Sequence, residues 1–298
     1  MDINQNIDLI VRFLKSIDHH ELLNKINKFK KLNIKNMTER QVFNEILNVL
    51  YHQEAFRYIT NIKTYPMGTK IFRVRKLKGS AIPNENLSVS SDFWNPPEAC
   101  VCEYGRLNKP HESLLYASPI NPYVAIKEMR MKKGDFFALI VYTAKDDIKV
   151  NCIGCEYNYN ELGIYDKNAI LTNELYNSFL RDEFSRDVGY GTEYLYLYMV
   201  SEIIAKSYFD LPARECQDAW VYSSVQDKSQ YNICFRAEIA RELLTLRGAM
   251  IVKYEADDAD IMAFCIAHDF NPDDIAQYFH IGSNEQQAIF PEIRMQKP

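Results

Sequence analysis

Apolar residues recur at helical spacing through the first sixty positions of the chain. IDLIVRFLKSI repeats them every three or four residues, and so does VFNEILNVLYHQEAFRYI after Thr38-Glu39. The run NKINKFKKLNIKN between them is basic and reads as a solvated helix face or a connecting loop. Near Tyr65-Pro66-Met67-Gly68 the pattern changes to that of strands, with IFRVRKL (71–77) and SLLYAS (113–118) as the first two. Asn121-Pro122 then supplies a helix start, Asn as N-cap and Pro at the first helical position, for YVAIKEMRM. After Gly134 comes the apolar strand FFALIVYT. EYLYLYMVSEIIAKSYF (193–209) predicts a longer helix and AWVYSS (219–224) a strand. YNICF, the helix AEIARELLTL and the strand AMIVKYE follow. The end, DDADIMAFCIAHDFNPDDIAQYFHIG, predicts one or two helices with acidic starts. Strands and helices without a strict βαβ period predict an α+β fold. The expected division is an N-terminal helical region (1–64), a mixed-sheet catalytic domain (65–255) and a short C-terminal helical tail (256–298).

Composition narrows the classes. A chain of 298 residues with 47% hydrophobic residues can bury a sizeable core without disulfides or metal. A formal net charge of -5 argues against a general nucleic-acid binder, which needs a broad basic surface, but leaves room for a local basic pocket. The N-terminus has no basic region followed by a long apolar run, so no signal peptide is expected. The longest apolar stretches, such as FFALIVY at 136–142, are too short to span a bilayer. Seven cysteines, an odd number, point to reduced and mostly buried thiols in a cytoplasmic protein.

No Gly-rich phosphate loop, nucleophile elbow or HExxH motif occurs. What stands out is an ordered series: Phe72-Arg73-Val74-Arg75, Trp94-Asn95-Pro96-Pro97, Gly105-Arg106-Leu107-Asn108, Leu115-Tyr116-Ala117-Ser118, Ala125-Ile126-Lys127-Glu128 and Trp220-Val221-Tyr222-Ser223-Ser224, with Asn232 further on. In order and spacing this series resembles the RES family, named for its Arg, Glu and Ser, over roughly residues 70–240. The family has an early Arg-x-Arg strand, a GR-x-N turn, a Tyr-containing strand, a helix ending in the Glu and a late strand whose tip bears the Ser. The chain departs from it in the WNPPEACVCEY segment and in having Ser223 before the late serine, where a proline is often found. Ser223 therefore competes with Ser224, and the strand-end pattern favours Ser224.

The resemblance implies an ADP-ribosyltransferase-like mixed sheet and cleavage of NAD at its nicotinamide–ribose bond, often by a toxin held by an antitoxin partner. NAD is then the substrate, and no other cofactor or metal is implied. Arg73, Arg75 and Arg106 are candidates for the pyrophosphate, which calls for bidentate guanidinium donors. Glu128 is the candidate that stabilises the oxocarbenium-like ribose. Tyr116 would stack on nicotinamide or bond the ribose, and Ser224 would orient substrate or Glu128; Asn108 and Ser223 complete the expected NAD-binding set. Water as acceptor would make a glycohydrolase, inorganic phosphate a phosphorylase and a macromolecule an ADP-ribosyltransferase.

Each residue also has a plainer account. Arg73 and Arg75 could be surface arginines, Arg106 a turn residue, Glu128 a member of an exposed ion pair with Lys127 or Arg130, Tyr116 core, and Ser224 a turn or cap residue. Cys100, Cys102, Cys152 and Cys155 could offer four thiolates to zinc, although buried thiols account for them better. Asp257, Asp258 and Asp260 fit the acidic start of a helix better than a metal site. Competing readings are an enzyme acting on another phosphorylated ligand through the same arginines, and an inactive binding or immunity module led by the N-terminal helices.

Overall fold

The computed structural model describes residues 3–77, 87–189, 194–255 and 261–293; the acidic cluster Asp257, Asp258 and Asp260 lies outside them. Those residues form an α+β protein with ten strands and eight α-helices. In chain order they are α1 (Ile3–Lys15), α2 (His19–Phe29), α3 (Glu39–Leu50), β1 (Ile62–Tyr65), β2 (Lys70–Lys76), β3 (Leu114–Pro119) and α4 (Pro122–Glu128). Next come β4 (Phe136–Ala144), β5 (Ile148–Ile153), α5 (Lys167–Phe184), α6 (Tyr198–Tyr208), β6 (Ala219–Ser223) and β7 (Tyr231–Arg236). The chain closes with α7 (Ala237–Leu243), β8 (Leu244–Tyr254), β9 (Ile261–Phe270), β10 (Ala276–His280) and α8 (Asn284–Ile289).

Two units share the chain, each assembled from three stretches. The helical unit comprises Met1–Lys63, Val101–Glu112 and Val150–Ser223; the sheet unit comprises Thr64–Cys100, Ser113–Lys149 and Ser224–Pro298. In the helical unit, α1 and α3 form where helical spacing predicts them, and α3 buries Val42, Ile46, Val49 and Leu50. The basic run 24–36, expected as a solvated face or connecting loop, instead gives Ile26 and Phe29 to the core, where they join Leu22 on α2. Thr38 starts α3 through a capping box with Gln41. β5 and β6 pair in parallel, Val150 opposite Ala219 and Ile153 opposite Tyr222.

In the sheet unit the strand order is β7-β3-β2-β4-β8-β9-β10, antiparallel throughout. Alternation along β2 sends Phe72 and Val74 into a core with Phe137, Leu139 and Val141 of β4, Met250 and Val252 of β8, and Ala125 and Ile126 of α4. Arg73 and Arg75 take the other face. Between β4 and β8 the pairing slips after Val141, which faces Gly248. Gly248 has φ +146, and a Cβ there would lie 2.6 Å from the carbonyl of Ala267, so the close approach of β9 requires glycine.

The C-terminal region corrects one expectation. Residues 261–270 and 276–280 are strands continuing the sheet, and the only described helix after them is the six-residue α8. Ile261-Met262-Ala263-Phe264-Cys265-Ile266 is a short continuous apolar run, which periodicity alone does not divide between helix and strand. The open hydrogen-bonding edge of β8 decides it: β9 pairs there from Ala249–Ala267 to Tyr254–Ile261.

Candidate active site

The structure brings Glu128 and Ser224 together. Asn121 caps α4 by accepting from the amide of Tyr123, and Pro122 opens the first turn. Val124, Ala125 and Ile126 are buried on this two-turn helix. Glu128 follows Val124 by four residues and Ala125 by three, so it shares their inward stripe. Its Oε1 accepts three hydrogen bonds, from Ser224 Oγ at 2.5 Å, the Val225 amide at 2.9 Å and Asn232 Nδ2 at 3.0 Å. Oε2 has no hydrogen-bond partner among the described residues. The alternative of a surface ion pair with Lys127 or Arg130 is not what forms.

The loop 224–230 is built to present its donors. Ser224 is fully buried; its amide donates to the carbonyl of Gln230, and its Oγ accepts from the amides of Gln226 and Asp227. Because those amides occupy the Oγ lone pairs, the hydroxyl proton is left to point at Glu128. Of the two serines, then, Ser224 meets the carboxylate, and Ser223 is the last buried residue of β6.

Arg73 lies at a fork in the sheet. β2 stays paired with β4 over its whole length but is registered with β3 only at Ile71–Pro119 and Phe72–Ser118. Past that point the strands part, and the Arg73 guanidinium donates one bond, 3.0 Å, to the carbonyl of Tyr116. Its Nε is buried with no partner among the described residues. Burial pulls the guanidinium below its ordinary pKa against the opposing influence of Tyr142; neighbouring Arg75 lowers it further, and Cys234 opposes. A desolvated cation with an unsatisfied donor favours an anion.

The other expected ligand-binding residues have structural partners. Arg75 donates to the carbonyl and carboxylate of Asp92, whose second oxygen accepts from the amides of Ser88 and Val89. Arg106, in the helical unit, is buried; its two terminal nitrogens donate to the carbonyls of Phe184 and Arg186, and its guanidinium stacks 4.7 Å above the Tyr198 ring. Asn108 donates to the carbonyls of Glu103 and Lys109, closing its own turn. Tyr116 is half-buried on β3 opposite Cys234. Trp94 packs between Tyr142 and the Arg241 guanidinium, and Asn95 donates to Ser113. The expectation of mostly buried thiols holds for Cys152, Cys155 and Cys234 but not for Cys100, Cys102 and Cys216, which are exposed; no group of three or more potential metal ligands occurs among the described residues.

Sequence reasoning assigned no role to Ser118, Asn232 or the Val225 amide. The signal lay in the two strands: LLYASP and YNICF each carry one buried polar residue in an apolar run, which must find a partner. No protein-family model, curated protein or solved structure matches this chain. No helix among the described residues is long and apolar enough to cross a membrane.

Proposed function

We propose that this chain is a RES-like, ADP-ribosyltransferase-like enzyme that cleaves NAD at its nicotinamide–ribose bond, with water or inorganic phosphate as acceptor. The observation that carries this reading is Glu128, with one oxygen held by three donors and the other without a hydrogen-bond partner among the described residues. Nicotinamide leaves as a neutral molecule when the C1′–N bond breaks and its electron pair returns to the pyridinium nitrogen, so no general acid is needed. The developing positive charge on the ribose needs a fixed anion, and a carboxylate held by Ser224, Val225 and Asn232 costs no reorganisation when that charge appears. The acceptor oxygen then bonds to C1′ and its proton passes to solvent. The partly unsatisfied guanidinium of Arg73 suits the pyrophosphate.

Incubation of the purified protein with NAD, with and without phosphate, tests the reading. Nicotinamide with ADP-ribose means hydrolysis, and phosphate-dependent ADP-ribose 1″-phosphate means phosphorolysis. A modified protein in place of either product would make it an ADP-ribosyltransferase. Absence of nicotinamide release under both conditions would sink the proposal and favour a binding module.

A further inference from the structure

Asn232 stands behind Glu128, and its amide makes bonds of opposite polarity on its two sides. Nδ2 donates to Glu128 Oε1 at 3.0 Å, while Oδ1 accepts from Ser118 Oγ at 3.0 Å. Ser118 is 1% exposed and Asn232 6%, so water does not substitute for either bond. The two residues lie one step past the registered pair Ala117–Ile233 of β3 and β7, on the same face of neighbouring strands. A primary amide turned by half a rotation would present its oxygen to the carboxylate, acceptor against acceptor. An ionised Glu128 requires the NH2 edge, and a buried Asn232 oxygen requires a donor on its far side. Ser118 is the residue that supplies it.

We infer that Ser118 is a positioning residue: through Asn232 it fixes the polarity of the amide that holds Glu128 Oε1 and so leaves Oε2 facing the substrate. This rests on the NAD-cleaving reading for its consequence in turnover, while the hydrogen-bond relay itself is testable without substrate. Ser118→Ala removes the donor and leaves the buried amide oxygen unpaired, so the amide populates both orientations. Asn232→Asp keeps the shape and replaces the NH2 edge with a second carboxylate facing the first, the arrangement in which two acids do not both ionise readily.

The experiment combines two readouts on the full chain. Glutamate is labelled with carbon-13 at the carboxyl carbon, the Glu128 signal is assigned by its loss in Glu128→Gln, and its titration is followed in wild type, S118A and N232D. Steady-state kcat and KM for NAD are measured on the same proteins. The expected result is an upward displacement of the Glu128 titration relative to wild type in both variants, larger in N232D than in S118A. In S118A, kcat falls about tenfold, the size of one misplaced hydrogen bond to a charged group, with KM within about twofold. N232D keeps the shape of Asn232 and stands as the deciding variant if S118A does not fold. An unchanged Glu128 titration in N232D, or an unchanged kcat in a folded S118A, overturns the inference. Should wild type release no nicotinamide, the functional reading fails by itself, and the titrations still decide whether the relay holds Glu128.

Discussion

Two inward-facing glutamates, one in each unit, meet their partners in opposite ways. Glu183 of the helical unit is 2% exposed, and both its oxygens accept from Arg186, at 2.5 and 2.6 Å. Burial raises its pKa even against that arginine. Glu128 of the sheet unit takes three donors on one oxygen, none of them a cation, and its other oxygen has no hydrogen-bond partner among the described residues. The arginines repeat the contrast. Arg106 has both terminal nitrogens on backbone carbonyls and a ring beneath it; among the described residues Arg73 makes one bond and buries an unsatisfied Nε. Satisfied polar groups hold an element in place, whereas partly satisfied ones cost stability that ligand contacts can offset.

Four changes sharpen or break that contrast. The largest effect is expected from Glu128→Gln, which removes the charge and keeps the shape. Nicotinamide release should fall about 10³-fold, close to 4 kcal/mol of transition-state stabilisation, with little change in Tm. A Gln variant that unfolds while the remaining folded fraction turns over normally would put Glu128 with Glu183 as a structural residue. Next is Arg106→Ala, which strips the carbonyls of Phe184 and Arg186 of their donor and should cost about 2–4 kcal/mol in denaturant unfolding. If stability holds and KM for NAD rises instead, Arg106 belongs to the ligand after all.

Arg73→Met comes third: KM for NAD should rise about 10- to 100-fold, while stability stays level or improves because a desolvated and only partly satisfied cation is gone. A marked drop in Tm without a change in KM would make Arg73 a second Arg106. The smallest effect concerns Glu202 on α6, 2% exposed, whose pKa burial lifts to about 7 against the pull of Lys109 and Lys206, with Glu112 and Glu39 adding to the rise. The folded state holds this proton more tightly than the unfolded chain. Its contribution is therefore complete below about pH 4.5, the ordinary glutamate value, and is lost as pH rises through about 7. Glu202→Gln should raise Tm by roughly 2–4 °C at pH 8 and by almost nothing near pH 4.5. Equal shifts at both pH values would show that the carboxyl is not buried in solution.

Much of this was legible in the linear chain. The helices α1 and α3, the strands β2, β3, β4, β6 and β7, and the Asn121-Pro122 start of α4 all follow from local spacing and capping chemistry, which act over a few residues. The α+β class follows from their succession, and the order of short motifs singled out Glu128 and Ser224 before any geometry was known. The tertiary structure decided what depends on register. Ser224 and Asn232 reach Glu128 across 96 and 104 residues of chain, and which strand residue faces which is set by pairing, where a one-residue slip turns every side chain to the other face. The same holds for the arginines. Arg73, Arg75 and Arg106 look alike in sequence, but only the forked strands beneath Arg73 leave a guanidinium in want of an anion, while Asp92 and the carbonyls of Phe184 and Arg186 occupy the other two. Residues 261–270 became a strand for a related reason: their apolar run suits either element, and the unpaired edge of β8 supplied the partner that local propensity does not encode.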